Sequence, residues 1–372
     1  MASIRKRPDR PNRPWQARYR DLAGKEHARH FERKVDARRW LDEVTADLVR
    51  GVHVDPRAGQ RTFGSFAGEW ARAQTFDPST REAVESRLRR HILPTFADMP
   101  LAAIRPSTVQ AWVKGRSDEL APRTVRVLLA NLSSIFAAAV ADGVLASNPC
   151  ASRAVRPPAV DIDQVVPWSA ERVQAIIDAH PDRWRAVPVA AVGLGLRQGE
   201  CFGLAVEHID FLRRTVHVRR QVKIVNGRAT LAPPKRRKMR DAPLPASVAE
   251  ELAERIRQYP PGADGLVFTT RQGGPLTRSY YNRRIWRPAL EAAGIEPSRA
   301  TGMHQLRHAY ITRLLSEGVN PRAVADWVGH SDIGYMLRVY GHVLPNDNDR
   351  ARAVMDAALG RRADQVRTRD VE

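Results

Sequence analysis

The chain has 372 residues, too many for one small core, and 43% of them are hydrophobic, which excludes a disordered polyelectrolyte. Its formal net charge is +20, and a protein this basic suits a polyanion, because lysine and arginine displace counterions from phosphates. Cys150 and Cys201 are the only cysteines, and neither an apolar signal-peptide core nor a bilayer-length apolar run stands out; a reducing, intracellular (cytoplasmic) and membrane-free setting is expected.

Residues 1–56 read as a small separate module. Ile4-Arg5-Lys6-Arg7 opens it, and residues 15–20 alternate apolar and polar as a strand does. Gly24 marks a turn before another short strand over 27–31. Asp36 then caps a helix whose Ala37, Trp40, Leu41, Val44 and Leu48 recur at helical spacing and would pack on the sheet. Residues 52–61, with Pro56 and Gly59, read as a linker.

The next module, 62–153, is all helical. Helices are expected over 65–73 and 79–92, the second stopped by Pro94. Ser107 caps a third, with Val109, Trp112 and Val113 on its inner face. Pro122 starts a long fourth with Val125, Leu128, Leu129, Leu132, Ile135, Phe136 and Val140 as its stripe, ended by Gly143 and Pro149. Arg123 and Arg126 belong to a basic set on these helices that could touch phosphates, and the same charges also suit a solvated face. Residues 151–166, with Pro157-Pro158, read as an interdomain linker.

The third domain, 164–345, mixes helices with short strands. Ser169 caps a helix over 170–179, and an apolar helix over 184–194 leads into Gly195-Leu196-Arg197. Strands are expected over 215–220, 222–225 and 228–231, the last two joined by Asn226-Gly227. A basic loop from Pro233 to Arg240 follows, then helices over 247–258 and 278–292. In the tail, 346–372, Ala351, Val354, Met355, Ala358 and Leu359 make one amphipathic stripe, expected to dock on a neighbouring copy. The chain is therefore multidomain, mainly α with small β-sheets.

The chemistry concentrates in residues 301–342. There His304-Gln305-Leu306-Arg307-His308 precedes Gly329-His330-Ser331 and then Tyr340-Gly341-His342. Such a set could bind a phosphodiester, attack it and manage the proton. Arg197 adds a second guanidinium, and two planar forks suit the nonbridging oxygens and the charge of a pentavalent transition state. A phenol, with an unperturbed pKa of about 10, needs a base or a cationic setting to attack. Tyr335 is the rival to Tyr340. Lys235, Lys238 and, more weakly, Lys223 are candidates for a proton donor. Glu200 could hold Arg197 or a histidine in place. His304 and His308 also have the i, i+4 spacing of zinc ligands, but Gln305 stands where a metalloprotease has its glutamate and no third ligand is evident. No Walker loop or dinucleotide fingerprint appears, so no cofactor is expected.

Taken as a set, Arg197, Lys235, His304, Arg307, His330 and Tyr340 resemble the signature of the tyrosine recombinases, the phage integrase family, over most of the chain. The match at Tyr340-Gly341-His342 favours Tyr340 as nucleophile, and the Pro234-Lys235 context favours Lys235 as general acid. The resemblance implies that His304 accepts the tyrosine proton or bonds the phosphate, and that His330 binds a nonbridging oxygen. It implies an arm-type DNA-binding domain at 1–56 with a sheet on one helix, a helical core-binding domain at 62–153 and a mixed α/β catalytic domain at 164–345. Arg5, Lys6, Arg7, Arg18, Arg20, Arg123 and Arg126 are then the candidate DNA contacts. Cys201 and Gln305 depart from the pattern without touching the expected chemistry. The implied activity is site-specific recombination of double-stranded DNA at core and arm sites. It would run by a homotetramer through a 3′-phosphotyrosine and a Holliday junction, with a host DNA-bending factor and an excision factor as partners. A type IB topoisomerase-like enzyme and a non-catalytic DNA-binding regulator are the alternatives.

Overall fold

The structure, a computed structural model, describes residues 2–20, 24–49, 58–160, 166–330, 332–345 and 347–359. The chain divides into two compact units, Met1–Asp161 and Ile162–Glu372.

In the first unit β1 (Ser3–Lys6), β2 (Trp15–Arg20) and β3 (Glu26–Phe31) form an antiparallel sheet in sequential order. The period of two sends Trp15, Ala17 and Tyr19 onto α1 (Lys34–Val49), where Ala37, Trp40 and Leu41 meet them. The register pairs Arg5 with Gln16, so Arg5, Arg18 and Arg20 share the opposite face. The helix starts at Lys34, so Asp36 is not its cap; it lies in the first turn, where a carboxylate still meets the positive end of the helix dipole. Of the expected linker, 52–57 lies outside the described residues, and Ala58–Gln60 forms a single 3-10 turn.

The helical module holds α2 (Phe63–Ala73), α3 (Pro78–Arg87), α4 (Leu93–Phe96), α5 (Pro106–Glu119) and α6 (Pro122–Ala141). Pro94 does not stop the second rod. A π turn at Leu88–Ile92 widens the coil between α3 and α4, and Pro94 sits in the first turn of α4, where no amide hydrogen is needed. Ser107 is not a cap either. Pro106 occupies the start of α5 with its fixed φ, and Arg105 at the cap position makes no side-chain bond. By length and composition alone α6 would cross a bilayer, which the sequence reading did not anticipate. Its Val125, Leu128, Leu132, Ile135 and Phe136 are instead buried in the module's core, with Phe136 against Phe63 at 5.5 Å. Each such side chain contributes about 1.5–3 kcal/mol by leaving water. Val155 also packs into this core, so the module extends into the stretch expected to be linker.

The second unit begins with α7 (Ala170–Asp178), capped by Ser169, then α8 (Asp182–Leu194) and the short α9 (Gln198–Phe202). Strands β4 (Ile209–Asp210), β5 (Thr215–Val218) and β8 (Arg240–Pro243) form one antiparallel sheet. Strands β6 (Gln221–Val225) and β7 (Arg228–Ala232) form a separate hairpin. Its turn places Asn226 at φ 50° and Gly227 at φ 75°, the left-handed pair that a two-residue hairpin requires. The basic loop leaves β7 and returns to β5 through β8, with Val216 opposite Ala242. Next come α10 (Ala246–Gln258), α11 (Arg278–Tyr281) and α12 (Arg287–Ala292), the last two joined by a second π turn, Asn282–Trp286. The chain closes with α13 (His304–Ser316), α14 (Pro321–Val328), α15 (Ile333–Tyr340) and α16 (Asn348–Ala358). One large core joins α8, α9, the sheets, α10 and the α11–α12 rod, and a smaller one joins α13, α14 and α15. Every described residue of α16 is exposed.

Candidate active site

Two left-handed glycines shape the site. Gly195 ends α8 at φ 60°, and a Cβ there would lie 2.5 Å from the Tyr310 ring. Gly329 ends α14 at φ 68°, and its Cβ would meet the Arg240 side chain at 3.1 Å. The chain after α14 folds back so that the amides of Gly329 and His330 reach Asp326 O and Ala325 O. The carbonyls of residues 327 to 330 are left without partners inside the helix, at the negative end of its dipole.

Each of those four carbonyls accepts from a different cation. Arg240 Nε donates to Trp327 O at 2.6 Å, Arg307 Nη2 to Val328 O at 2.7 Å and Arg197 Nη2 to Gly329 O at 3.1 Å. Lys238 Nζ donates to His330 O at 3.0 Å. Arg307 also donates to Gly195 O at 2.6 Å, which ties the end of α8 to the end of α14. The row thus fixes three guanidiniums and an ammonium around the backbone that carries His330.

Glu200 supplies the buried anion. Its carboxylate accepts from the Arg197 amide at 2.9 Å and from Arg197 Nη1 at 2.8 Å. Arg240 closes a two-pronged pair on it at 3.0 and 2.6 Å. Burial alone would raise the Glu200 carboxyl, but the bonds and charge of Arg240, with Arg197 behind them, hold it down to about 2. Arg307 is only 1% exposed and bonds to carbonyls alone. Burial, then the charge of Arg197, lowers it to about 9. The cations exceed the anion, so the site is electrostatically prepared for a further negative group.

The expected residues sit as follows. Arg197, Lys235, Lys238, His330 and Tyr335 line a cleft of about 380 Å³. Lys235 is exposed there, in a 3-10 turn, whereas Lys238 is engaged by His330 O and stands 3.8 Å from Asp326. Lys223 lies on β6. His304, Arg307 and His308 share one face of α13. The His304 ring is exposed and stands edge-on to His308 at 4.6 Å. Burial and the surrounding arginines push His308 down to about 4 and His330 to about 3, so both imidazoles are neutral. The His304 imidazole is lowered as well, by burial first and then by His308 and Arg307 beside it. The Nδ1 of His330 is buried without a hydrogen-bond partner.

Tyr340 ends α15 and is 2% exposed. Its hydroxyl bonds to Nδ1 of His308. Burial raises its pKa and the nearby charge of Arg307 opposes that rise. Tyr335, on the same helix, is 45% exposed.

The remaining expected contacts lie in the first unit. Arg18 pairs with Glu26, Arg20 stands 3.9 Å from the same carboxylate, and Arg5 is exposed on the shared face. Lys6 lies over the Trp15 ring at 5.9 Å and Arg7 pairs with Asp9 at 3.2 Å. Arg123 is exposed, and Arg126 donates to Pro158 O at 2.9 Å. Among the described residues no group of three or more His, Cys, Asp or Glu is placed to hold a metal ion.

Two participants escaped the sequence reading. Arg240 was visible only as part of the context around Lys235, and nothing local announces that it faces Glu200. His308 was weighed only as a zinc ligand, although its i+4 spacing from His304 already put it on the same face.

Comparison with known proteins identifies the family. The phage integrase family model matches residues 169–347, and the phage integrase central domain matches 63–154. A putative prophage phiRv2 integrase of Mycobacterium tuberculosis is 29% identical over 349 residues, 88% of each chain. A tyrosine recombinase XerC of a Methylobacterium species is 31% identical over 309 residues, 77% of this chain and 89% of that one. Among solved structures, the Tn1549 transposon integrase in complex with a circular intermediate DNA has a TM-score of 0.68 at 22% identity, covering 80% of this chain and 99% of that one. A lambda integrase tetramer bound to a Holliday junction has a TM-score of 0.58 at 18% identity, covering 88% and 92%. The chain belongs to the phage integrase family of tyrosine recombinases and is a site-specific DNA recombinase.

Proposed function

We propose that Tyr340 attacks a scissile DNA phosphate held by Arg197, Arg307 and His330, giving a 3′-phosphotyrosine and a free 5′ hydroxyl. The observation that carries this reading is the carbonyl row at 327–330, which locks the cations beside His330 and leaves their charge in excess of Glu200. A developing equatorial charge would meet donors that need no reorganisation. Lys235 gives the leaving 5′ oxygen its proton, which suits an exposed ammonium better than the engaged Lys238. His304 bonds the phosphate from the exposed edge of the same face. The ester conserves the bond energy, so the exchange consumes no nucleotide cofactor.

In this reading 1–56 holds arm sites, 62–153 and 164–345 hold the core site, and four protomers exchange strands through a Holliday junction to integrate and excise DNA. The sheet face with Arg5, Arg18 and Arg20 supports the first role. Holding two sites at once raises effective concentration only if the DNA bends, so a host bending protein and an excision factor are the natural partners. Of the tail, 346–372, residues 346 and 360–372 lie outside the described residues, and α16 is the part that docks in trans. Val354 and Met355 on α16 and Leu359 just past its end stand exposed, and a groove of about 860 Å³ lined by Trp168, Ile177, Val189, Val192, Val248 and Tyr310 is the receiving surface on a second copy. The protein acts in the cytoplasm, on nucleoid DNA.

A duplex nicked beside the cleavage site tests the reading, because loss of the short fragment traps the protein on DNA. The wild type should form the covalent complex and Tyr340→Phe should not. Relaxation of plasmid lacking any specific site would favour a topoisomerase instead, and DNA binding without any trapped complex would favour a non-catalytic regulator.

A further inference from the structure

The phenol of Tyr340 has one hydrogen-bond partner among the described residues, Nδ1 of His308. His308 lies one helical turn beyond His304 on α13, and the two rings meet edge to face at 4.6 Å. His304, the histidine of the family pattern, makes no bond to the phenol; the ring behind it does. Tyr340 is 2% exposed, so its hydroxyl faces protein. The pair is therefore formed before any substrate arrives.

We propose, on the strength of the cleavage reading above, that His308 is a further catalytic residue, the acceptor of the Tyr340 proton during attack. The bond from Tyr340 Oη to phosphorus forms as the bond from phosphorus to the 5′ oxygen breaks. The phenol proton passes to His308 Nδ1, and the leaving 5′ oxygen takes a proton from Lys235. On rejoining, the incoming 5′ hydroxyl returns a proton to Lys235, and His308 returns its own to the departing phenolate. Protons and bonds balance without an external co-reactant.

The electrostatics suit this timing. Without DNA, His308 faces Tyr340 from α15 and shares its own helix with His304 and Arg307. Burial and then the Arg307 charge keep the imidazole neutral, which leaves Nδ1 free to accept. A phosphodiester bound between Arg197 and Arg307 offsets those charges, so the imidazole gains basicity when the substrate is in place. The phenol, made less acidic by burial, loses its proton only as the new bond to phosphorus develops.

A substrate with sulfur in place of the bridging 5′ oxygen separates the two proton transfers, because a thiolate leaves without an acid. Single-turnover cleavage should fall about 10²–10⁴-fold in His308→Ala on the oxygen substrate and stay low on the sulfur one. Lys235→Ala should be slow on oxygen and restored on sulfur. His308→Asn keeps a hydrogen-bond acceptor near the Nδ1 position without a basic ring nitrogen; it should bind DNA and melt as the wild type does, yet cleave as slowly as His308→Ala. Wild-type cleavage by either His308 variant would overturn the assignment, and so would full rescue of His308→Ala by sulfur. The broader reading fails separately, if wild type and Tyr340→Phe trap DNA equally.

Discussion

The arginines of the N-terminal sheet and those at the end of α14 differ in what holds them. On the sheet, Arg18 and Arg20 share the Glu26 carboxylate on an open face, where solvent screens the pairing. In the site, Arg197, Arg240 and Arg307 are pinned to consecutive backbone carbonyls and, for two of them, to one buried carboxylate. The first set can follow a flexible polyanion. The second can move only by leaving buried groups unpaired, which is costly. An open, screened face and a fixed, buried cluster have been built from the same side chain by changing its partner.

The sharpest way to break this contrast is to replace one arginine in each place by lysine. A single ammonium cannot bridge Gly195 O and Val328 O, so Arg307→Lys should slow covalent trapping about 10²–10³-fold and lower unfolding free energy by roughly 3 kcal/mol. Arg18→Lys should change stability by less than about 0.5 kcal/mol and leave core-site cleavage intact. Equal effects in denaturant titrations and trapping assays would erase the distinction.

The next largest effect belongs to Glu200. Glu200→Gln leaves Arg240 and Arg197 facing each other without a counter-charge, and should cost about 3 kcal/mol at neutral pH. Because the carboxyl is held down to about 2, its contribution is present above the ordinary carboxylate range and fades as pH falls towards that value. The variant should lose that part of the acid dependence, read from urea midpoints between pH 5 and 3.

A third test uses the histidines. Burial, then the charge of Arg307, holds His308 down to about 4 and His330 down to about 3 in the folded chain, below the ordinary value of about 6.5. The unfolded chain therefore binds more protons between those values, and stability should fall as pH drops from about 6.5 towards 4. His330→Gln should flatten the slope of the full chain's thermal midpoint across that window; an unchanged slope would show that His330 is not held neutral.

The smallest effect compares two glycines. Gly329→Ala strains a left-handed residue by about 1–2 kcal/mol and presses on Arg240, so cleavage should drop beyond what the stability loss explains. Gly24, at φ 81°, has open space around its missing Cβ, so Gly24→Ala should show the backbone strain alone and normal cleavage. Thermal shifts read beside trapping rates distinguish the two.

What the sequence made legible follows the same division. The apolar stripe of α6, the Asn226-Gly227 turn and the spacing from Arg197 to Tyr340 are local or patterned, and they led to the right elements. The carbonyl row was not legible, because a backbone acceptor has no side-chain identity and its four donors come from three separate stretches of chain. Arg240 lies forty positions after Glu200, and only the return of β8 beside β5 brings it back. The first π turn escaped because Pro94 looks like a helix stop until the preceding turn widens to admit it, and the second because a helix expected unbroken over 278–292 gives no sign of the wider turn at Asn282–Trp286 before Pro288. The bond between His308 and Tyr340 joins two helices across α14, a distance that no periodicity encodes.

The central claim is that the buried Tyr340, and not the exposed Tyr335, reaches a phosphate gripped by the pinned cations. Trapping the protein on nicked DNA, digesting with nuclease and protease, and locating the residual nucleotide by mass spectrometry addresses it most directly. The nucleotide should sit on Tyr340, with Tyr335→Phe still trapping and Tyr340→Phe not. A nucleotide on Tyr335, or an adduct that survives Tyr340→Phe, would contradict it.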